Sequence, residues 1–364
     1  MAKLKITFIS GSWPPIKCGV GDYLFNLVNN LKDEEVSVIT SIGAKRSKNI
    51  LAVVPSWKFS SWGIINDNLI KTRPDIVHFQ YPTVPYGRRL FPNILPWLIR
   101  FRIKTPSVIT LHEYHNASWL GKKRIELTAR PFKNIIVSNI QDQVDLKDKF
   151  RNKKIHIIRV GTNIAVAEEN VKKLQKIKNK YNPRSREVVL YFGYIDPSKG
   201  IENLIESMID WPANTRLIIA TRYDSTNAYH KKLKDIIDKS EGDIVWTGYL
   251  PDDDVSRLMT ISDVVCLPFS QPVSMRRGSM IAAMVHSKPI ITTGPSQEVL
   301  KHNRNCWLMN NNSATEISKA VNRVIGDREL AKKLAKGSGQ SSSDFVWSKI
   351  AEAHTAIYDL LIKT

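Results

Sequence analysis

Residues 244–293 read IVWTGYLPDDDVSRLMTISDVVCLPFSQPVSMRRGSMIAAMVHSKPIITT, and their order decides the fold. DVVCLPF and KPIITT are apolar runs of strand length, and SMIAAMVH between them has the composition of a short helix. Strand, helix and strand in that order predict a parallel crossover unit. Arg276, Arg277, Gly278 and Ser279 stand at the junction where the helix opens. A loop feeding a helix N-terminus, with guanidinium groups beside it, is a natural seat for a phosphate: helix dipole and cation attract the same anion.

Working outward, the same rhythm fills the chain. KITFIS, VSVIT, DIVHFQ, SVITLHEY, NIIVSN and KIHIIRV precede it, and EVVLYFGY, RLIIATR and DIVWTGY lead into the quoted stretch. The segments between them are long enough for crossover helices, which predicts parallel sheets. The lysine-rich stretch 165–186, ending in NPRSRE, interrupts the rhythm and is expected to link two domains, with room for a short helix. WSKIAEAHTAIYDLL repeats its apolar residues at helical spacing. The expected organisation is a first domain over 1–165, a second over 166–345 and a closing helix over 346–364.

At 364 residues, the chain can bury two ordinary cores. Its apolar runs are too short to span a bilayer, and KLKITFIS starts a strand at once, without the shape of a signal peptide; a cytoplasmic location is expected. Cys18, Cys266 and Cys306 are scattered with no C-x-x-C spacing, which suggests neither a disulfide framework nor a zinc site. Formal net charge is +20, concentrated in the first half: residues 1–165 carry 26 Lys/Arg against 11 Asp/Glu, and residues 166–364 carry 28 against 23. Such a surface suits phosphorylated substrates, anionic headgroups or nucleic acid. Nucleic acid is disfavoured, because no helix-turn-helix, zinc finger or RNA-binding aromatic signature accompanies the charge.

Cys18-Gly19-Val20-Gly21 offers the first two glycines of a dinucleotide fingerprint. Leu24 stands where the third would be, and no acidic residue ends VSVITS, so a nicotinamide enzyme is not expected. The expectation is instead a flexible glycine loop ahead of a helix YLFNLVNNL. His112 and Glu113 end the strand SVITLHEY, at the edge where open α/β sheets bind ligands. His78 ends the strand before, and His115 follows on the same loop without a distinguishable role.

GYLPDDD, followed by SDVVCLP and the donor-side helix, resembles the nucleotide-sugar half of retaining GT-B glycosyltransferases, the large family 4 (group 1) in particular. The resemblance runs over nearly the whole chain. It implies two Rossmann-like α/β/α domains facing across a cleft, an N-terminal acceptor domain and a C-terminal nucleotide-sugar domain, with the last helix packing back on the first. It also implies that the Gly19–Gly21 loop approaches donor phosphates and acceptor, and that His112, in TLHEY, contacts the transferred sugar. Segment G-Y-I-D-P-S-K-G resembles the family's G-R-x-x-x-x-K-G, whose basic residues hold the donor diphosphate: Gly193, Lys199 and Gly200 match, while Tyr194 replaces the arginine. Two glutamates eight positions apart are usual on the donor side; Ser274 and Ala282 occupy their places here, and Arg276 and Arg277 stand between. Glu298, in GPSQEVL, is the nearest carboxylate that could take over the ribose contact.

The expected function is retaining transfer of a sugar from a nucleotide diphosphate sugar to a hydroxyl of a glycan or lipid-linked acceptor, in bacterial surface polysaccharide biosynthesis. No metal or other cofactor is expected. The rival reading is a nucleotide-sugar-binding or scaffold protein of the same fold, favoured by the absent glutamates and separated by donor turnover. Residues 86–104, YGRRLFPNILPWLIRFRIK, bracket apolar and aromatic residues with arginines, and GKKR follows at 121–124. That pattern suits either a segment lying in the headgroup layer of an anionic membrane, at the inner face of the plasma membrane, or a crossover helix with its apolar side in the core.

Overall fold

The structure, a computed structural model, describes residues 3–363 apart from Ser274, Arg276 and 296–298. The chain forms two compact units, one of residues 1–160 and 347–364, the other of residues 161–346. The passage between them at 160–161 precedes the lysine-rich stretch. That stretch holds a helix, Val171–Tyr181, whose Ile177 and Tyr181 sit in the core of the second unit.

The first unit is built on strands β1 (Lys5–Ile9), β2 (Glu35–Ser41), β3 (Ile50–Val54), β4 (Ile76–Tyr81), β5 (Ser107–Leu111), β6 (Asn134–Val137) and β7 (Lys154–Ile157). They pair in parallel in the order β3-β2-β1-β4-β5-β6-β7. Side chains alternate across a strand, so the sheet feeds two cores. Val77, Phe79, Ile109 and Leu111 enter one; Ile6, Phe8, Ile76 and Val108 enter the other, with Tyr23 and Leu27 of helix Gly19–Asn30 and Ile350, Ile357 and Tyr358 of the closing helix Trp347–Ile362. The closing helix therefore belongs to the core of this unit.

Two local expectations change. The helix begins at Gly19, ahead of the expected Tyr23, and its two glycines lie in the first turn rather than in a loop. Neither has a positive φ; Gly21 instead allows close packing, since a Cβ there would lie 3.0 Å from that of Ser12. Residues 91–102 form a crossover helix, with Phe91, Leu95 and Ile99 in the core. Most of the apolar residues in the 86–104 segment are thus committed to the fold, and only Leu90 and Phe101 among its large ones remain exposed.

The second unit repeats the plan with β8 (Glu187–Phe192), β9 (Thr215–Ala220), β10 (Ile244–Trp246), β11 (Val264–Leu267), β12 (Ile290–Thr293) and β13 (Trp307–Met309), all parallel, in the order β10-β9-β8-β11-β12-β13. In both sheets the order reverses direction once, between β1 and β4 and between β8 and β11. Crossovers leave toward opposite faces at such a point, so the loops at the carboxyl ends of those strands open a crevice for ligands.

Candidate active site

At the second reversal, the loop after β8 runs through Gly193 and Tyr194 to a short turn, Pro197–Lys199, and the loop after β11 runs through Pro268 and Phe269. Backbone contact clamps them together: Ser270 N–H donates to the Ser198 carbonyl at 2.9 Å. Gly200 makes the approach possible. Its φ is +68°, and a Cβ there would stand 2.1 Å from the Pro268 carbonyl oxygen, a distance no side chain could accommodate without moving the backbone.

Two cations converge on this seam. Lys199 Nζ lies 5.9 Å from the centre of the Phe269 ring and the Arg277 guanidinium carbon lies 4.0 Å from it, so one buried aromatic ring contacts both. Lys199 is also held 3.1 Å from Asp196. Burial acts to raise the Asp196 pKa, but hydrogen bonds from Ser198 and Lys199 outweigh it and hold the carboxyl below its usual range. Among the described residues Arg277 has no ion pair, and its buried Nε has no hydrogen-bond partner. A buried guanidinium N–H left unpaired is costly, and a ligand oxygen at this place would relieve that cost. Arg277 is followed directly by helix Gly278–Val285, whose first N–H groups have no intrahelical partner. Ser279 Cβ lies 3.5 Å from where a Cβ on Gly193 would stand, and Gly193 has φ +140°, so the helix start presses on that bare backbone. Gly193, Lys199, Arg277, Gly278 and Ser279 are thereby brought to one place. Tyr194 is 89% exposed.

Arg276 and Glu298 lie outside the described residues, as does Ser274. Ala282 is fully buried in the core and offers no polar group. Phe269 went unrecognised in the sequence, although the CLPFS that follows β11 was its available signal. A concavity of about 550 Å³ elsewhere on this unit, lined by residues including Glu168, Glu169, Asp252 and Asp253, shares no lining residue with the cation pair. Its carboxylates would repel a diphosphate.

In the first unit, strand alternation and register put His78, Gln80, Thr110 and His112 on one face near the carboxyl ends of β4 and β5. His112 Nε2 lies 2.8 Å from Gln80 Oε1; with the ring N–H donating, Nδ1 is left as an acceptor. Tyr23 packs edge-on against the imidazole, ring centres 4.9 Å apart. Burial, assisted by the nearby charge of His354, depresses the His112 pKa to about 3 and keeps the ring neutral. Gln80 is itself fully buried, and its amide nitrogen has no partner among the described residues. Glu113 is exposed beside it.

His78 is a different case. Its two ring nitrogens are occupied by Tyr358 Oη at 2.8 Å and Thr110 Oγ1 at 2.7 Å, and it is wholly buried, so it fastens the closing helix to the sheet. His115 pairs at the surface with Asp145, 2.8 Å away. Gly19 and Gly21 sit at the helix start following the β1 loop.

Comparison with known proteins agrees with this architecture. Residues 172–340 match the family Glycosyl transferases group 1. The glycosyltransferase MJ1178 of Methanocaldococcus jannaschii, an uncharacterized protein, is 25% identical over 379 residues, covering 99% of each chain. YtcC of Bacillus subtilis, a glycosyltransferase by name, is 27% identical over 198 residues, 51% of this chain and 48% of its own length. The serotype-specific mannosyltransferase WbdA of Escherichia coli is 26% identical over 240 residues, and the match spans 60% of this chain but only 27% of WbdA. Among solved structures, a glycosyltransferase from Rickettsia africae superposes with TM-score 0.73 at 18% identity, covering the whole of both chains. Anabaena HepE in complex with UDP-glucose gives 0.68 at 17% identity, covering 98% of this chain and 100% of its own. The second unit thus matches the group 1 glycosyl transferase family over most of its length, and the chain has the two-domain GT-B fold.

Proposed function

We propose that this protein transfers a sugar from a nucleoside diphosphate sugar, with retention of anomeric configuration, to a hydroxyl of a glycan or lipid-linked acceptor in surface polysaccharide assembly. The observation that carries the reading is the pair Lys199 and Arg277 on Phe269, with the Arg277 Nε unpaired, at the strand-order reversal of the second sheet. HepE binding UDP-glucose supports a nucleotide-sugar donor, and the mannosyltransferase WbdA supports a polysaccharide context.

Bond breaking at the anomeric carbon leaves negative charge on the departing diphosphate. Lys199 as a point charge and Arg277 as a planar donor would stabilise that charge, with the first N–H groups of helix Gly278–Val285 adding to it. These groups supply charge neutralisation without a metal ion. The acceptor hydroxyl attacks from the face the diphosphate leaves and passes its proton to the departing phosphate oxygen as the bond to the anomeric carbon forms, which retains the configuration. His112, neutral and fixed by Gln80, would offer Nδ1 as an acceptor to a sugar hydroxyl. The test is a thermal-shift screen against UDP-, GDP-, ADP-, CMP- and dTDP-sugars. For the donor that binds, NMR identification of the sugar anomer first released or transferred follows. Raised melting with one donor and a product of the donor's own configuration is expected; the inverted anomer would refute retention, and binding without any turnover would favour the scaffold reading.

A further inference from the structure

We infer that the first unit docks on an anionic lipid bilayer through the adjoining N-terminal ends of helices Phe91–Arg102 and Trp119–Ala129. The two helices run side by side in the same direction: Asn93 Nδ2–H donates to Thr128 Oγ1 at 2.7 Å, and Trp97 Nε1–H donates to the Leu127 carbonyl at 3.1 Å. Arg124 Nη2–H donates to the Arg89 carbonyl at 2.6 Å, which pins the start of the first helix beside the second. This common end carries Leu90, Trp119 and Leu120, exposed by 53%, 71% and 66%.

Three large apolar side chains more than half exposed at one edge call for a partner. Charge says which. No acidic residue occurs between Asp75 and Glu113, while Arg88 and Arg89 adjoin Leu90 there. Lys122 and Lys123 lie three and four positions after Trp119, on the same side of their helix. Glu126 and Asp145 are nearby carboxylates, and both are engaged: Glu126 by the Tyr114 hydroxyl at 2.8 Å and by Lys123 at 3.5 Å, Asp145 by His115 at 2.8 Å. Cations ringing an exposed tryptophan and two leucines match an interface in which phosphates lie above hydrocarbon. No helix among the described residues is long and apolar enough to cross a membrane, so the contact proposed is peripheral. The inference does not depend on the transfer reading, since binding is read without donor or acceptor.

The experiment is flotation of the full chain with vesicles of phosphatidylcholine alone or with one third phosphatidylglycerol. Wild type should float with the anionic vesicles at least about tenfold better than with the neutral ones, and lose that advantage in high salt. Lys122→Glu with Lys123→Glu, and separately Trp119→Ala with Leu120→Ala, should each weaken partitioning by about tenfold while the melting temperature holds. Single Trp119→Ala serves if a double variant is unstable. Equal flotation on the two vesicle types would overturn the inference. So would wild-type flotation by the folded Trp119 variants, which would reduce the surface to a general polyanion site.

Discussion

His112 and the seam glycines show how much a single residue decides here. Held near a pKa of about 3, His112 stays neutral at any working pH. The dependence of turnover on pH should therefore show no acid limb near the ordinary histidine value of about 6.5. A limb there that disappears in His112→Gln would contradict the assignment. His112→Ala should lower donor turnover by about tenfold, the cost of one hydrogen bond to a hydroxyl of the transferred sugar, with the fold retained; loss of folding would instead make the residue structural. Gly200→Ala asks for a Cβ at φ +68° against the Pro268 carbonyl, so it should both destabilise the second unit by more than about 1 kcal/mol and weaken donor binding as Lys199 shifts. Phe269→Leu removes the aromatic ring that both cations approach and should weaken donor binding severalfold, as cation–π contacts contribute about 0.5–2 kcal/mol each. Calorimetric titration of the folded variants checks both.

At the scale of elements, the closing helix Trp347–Ile362 is tied to the first unit by polar contacts as well as apolar ones. Tyr358 bonds to His78, and His354 bonds to Tyr23 at 3.1 Å and to the Ile350 carbonyl at 2.8 Å. Tyr358→Phe strands a buried histidine nitrogen and should cost about 1–3 kcal/mol in denaturant unfolding. The same network makes the unit acid-sensitive. His78, His112 and His354 are held neutral, chiefly by burial, with His354 at about 4. Depressed folded values mean that the unfolded chain binds more protons once the pH drops below about 6.5. The stability contributed by the neutral rings is fully present above that value and is lost as the pH falls through the folded values of about 4 and 3. Melting temperatures measured from pH 7.5 to 4 should fall on the acid side; a flat profile would mean the rings are not buried neutral.

Much of this was legible beforehand. The central strands announce themselves as continuous apolar runs because both of their faces are covered. Edge strands β3 and β13 were passed over: Ile50–Val54 alternates buried with partly exposed residues, and Trp307–Met309 has three residues, too few for a period. The early start of helix Gly19–Asn30 was hidden by two glycines that usually signal a turn. Lys199 and Arg277 could be read from their positions ahead of helices. Their common support could not, because Phe269 meets them only when the reversal of strand order brings the loops after β8 and β11 together.

For the whole molecule, the two proposals assign the basic excess of the first half and the paired cations of the second to separate engagements with phosphate, one at a surface and one in a crevice. The surface should respond to salt, since exposed charges are screened beyond roughly 10 Å at 0.1 M. The crevice should respond far less. Saturating donor at 100 times its dissociation constant should add about 2.7 kcal/mol to the stability of the folded chain. The measurement that bears most directly on the central claim is calorimetric titration of the donor found in the sugar-nucleotide screen into wild type, Lys199→Ala and Arg277→Ala, each confirmed folded by its melting curve. Each substitution removes a charge-assisted contact of about 1.5–3 kcal/mol, so each should bind the donor about 10- to 150-fold more weakly. If both variants bind it as wild type does, the diphosphate is held elsewhere and the account of the site is wrong.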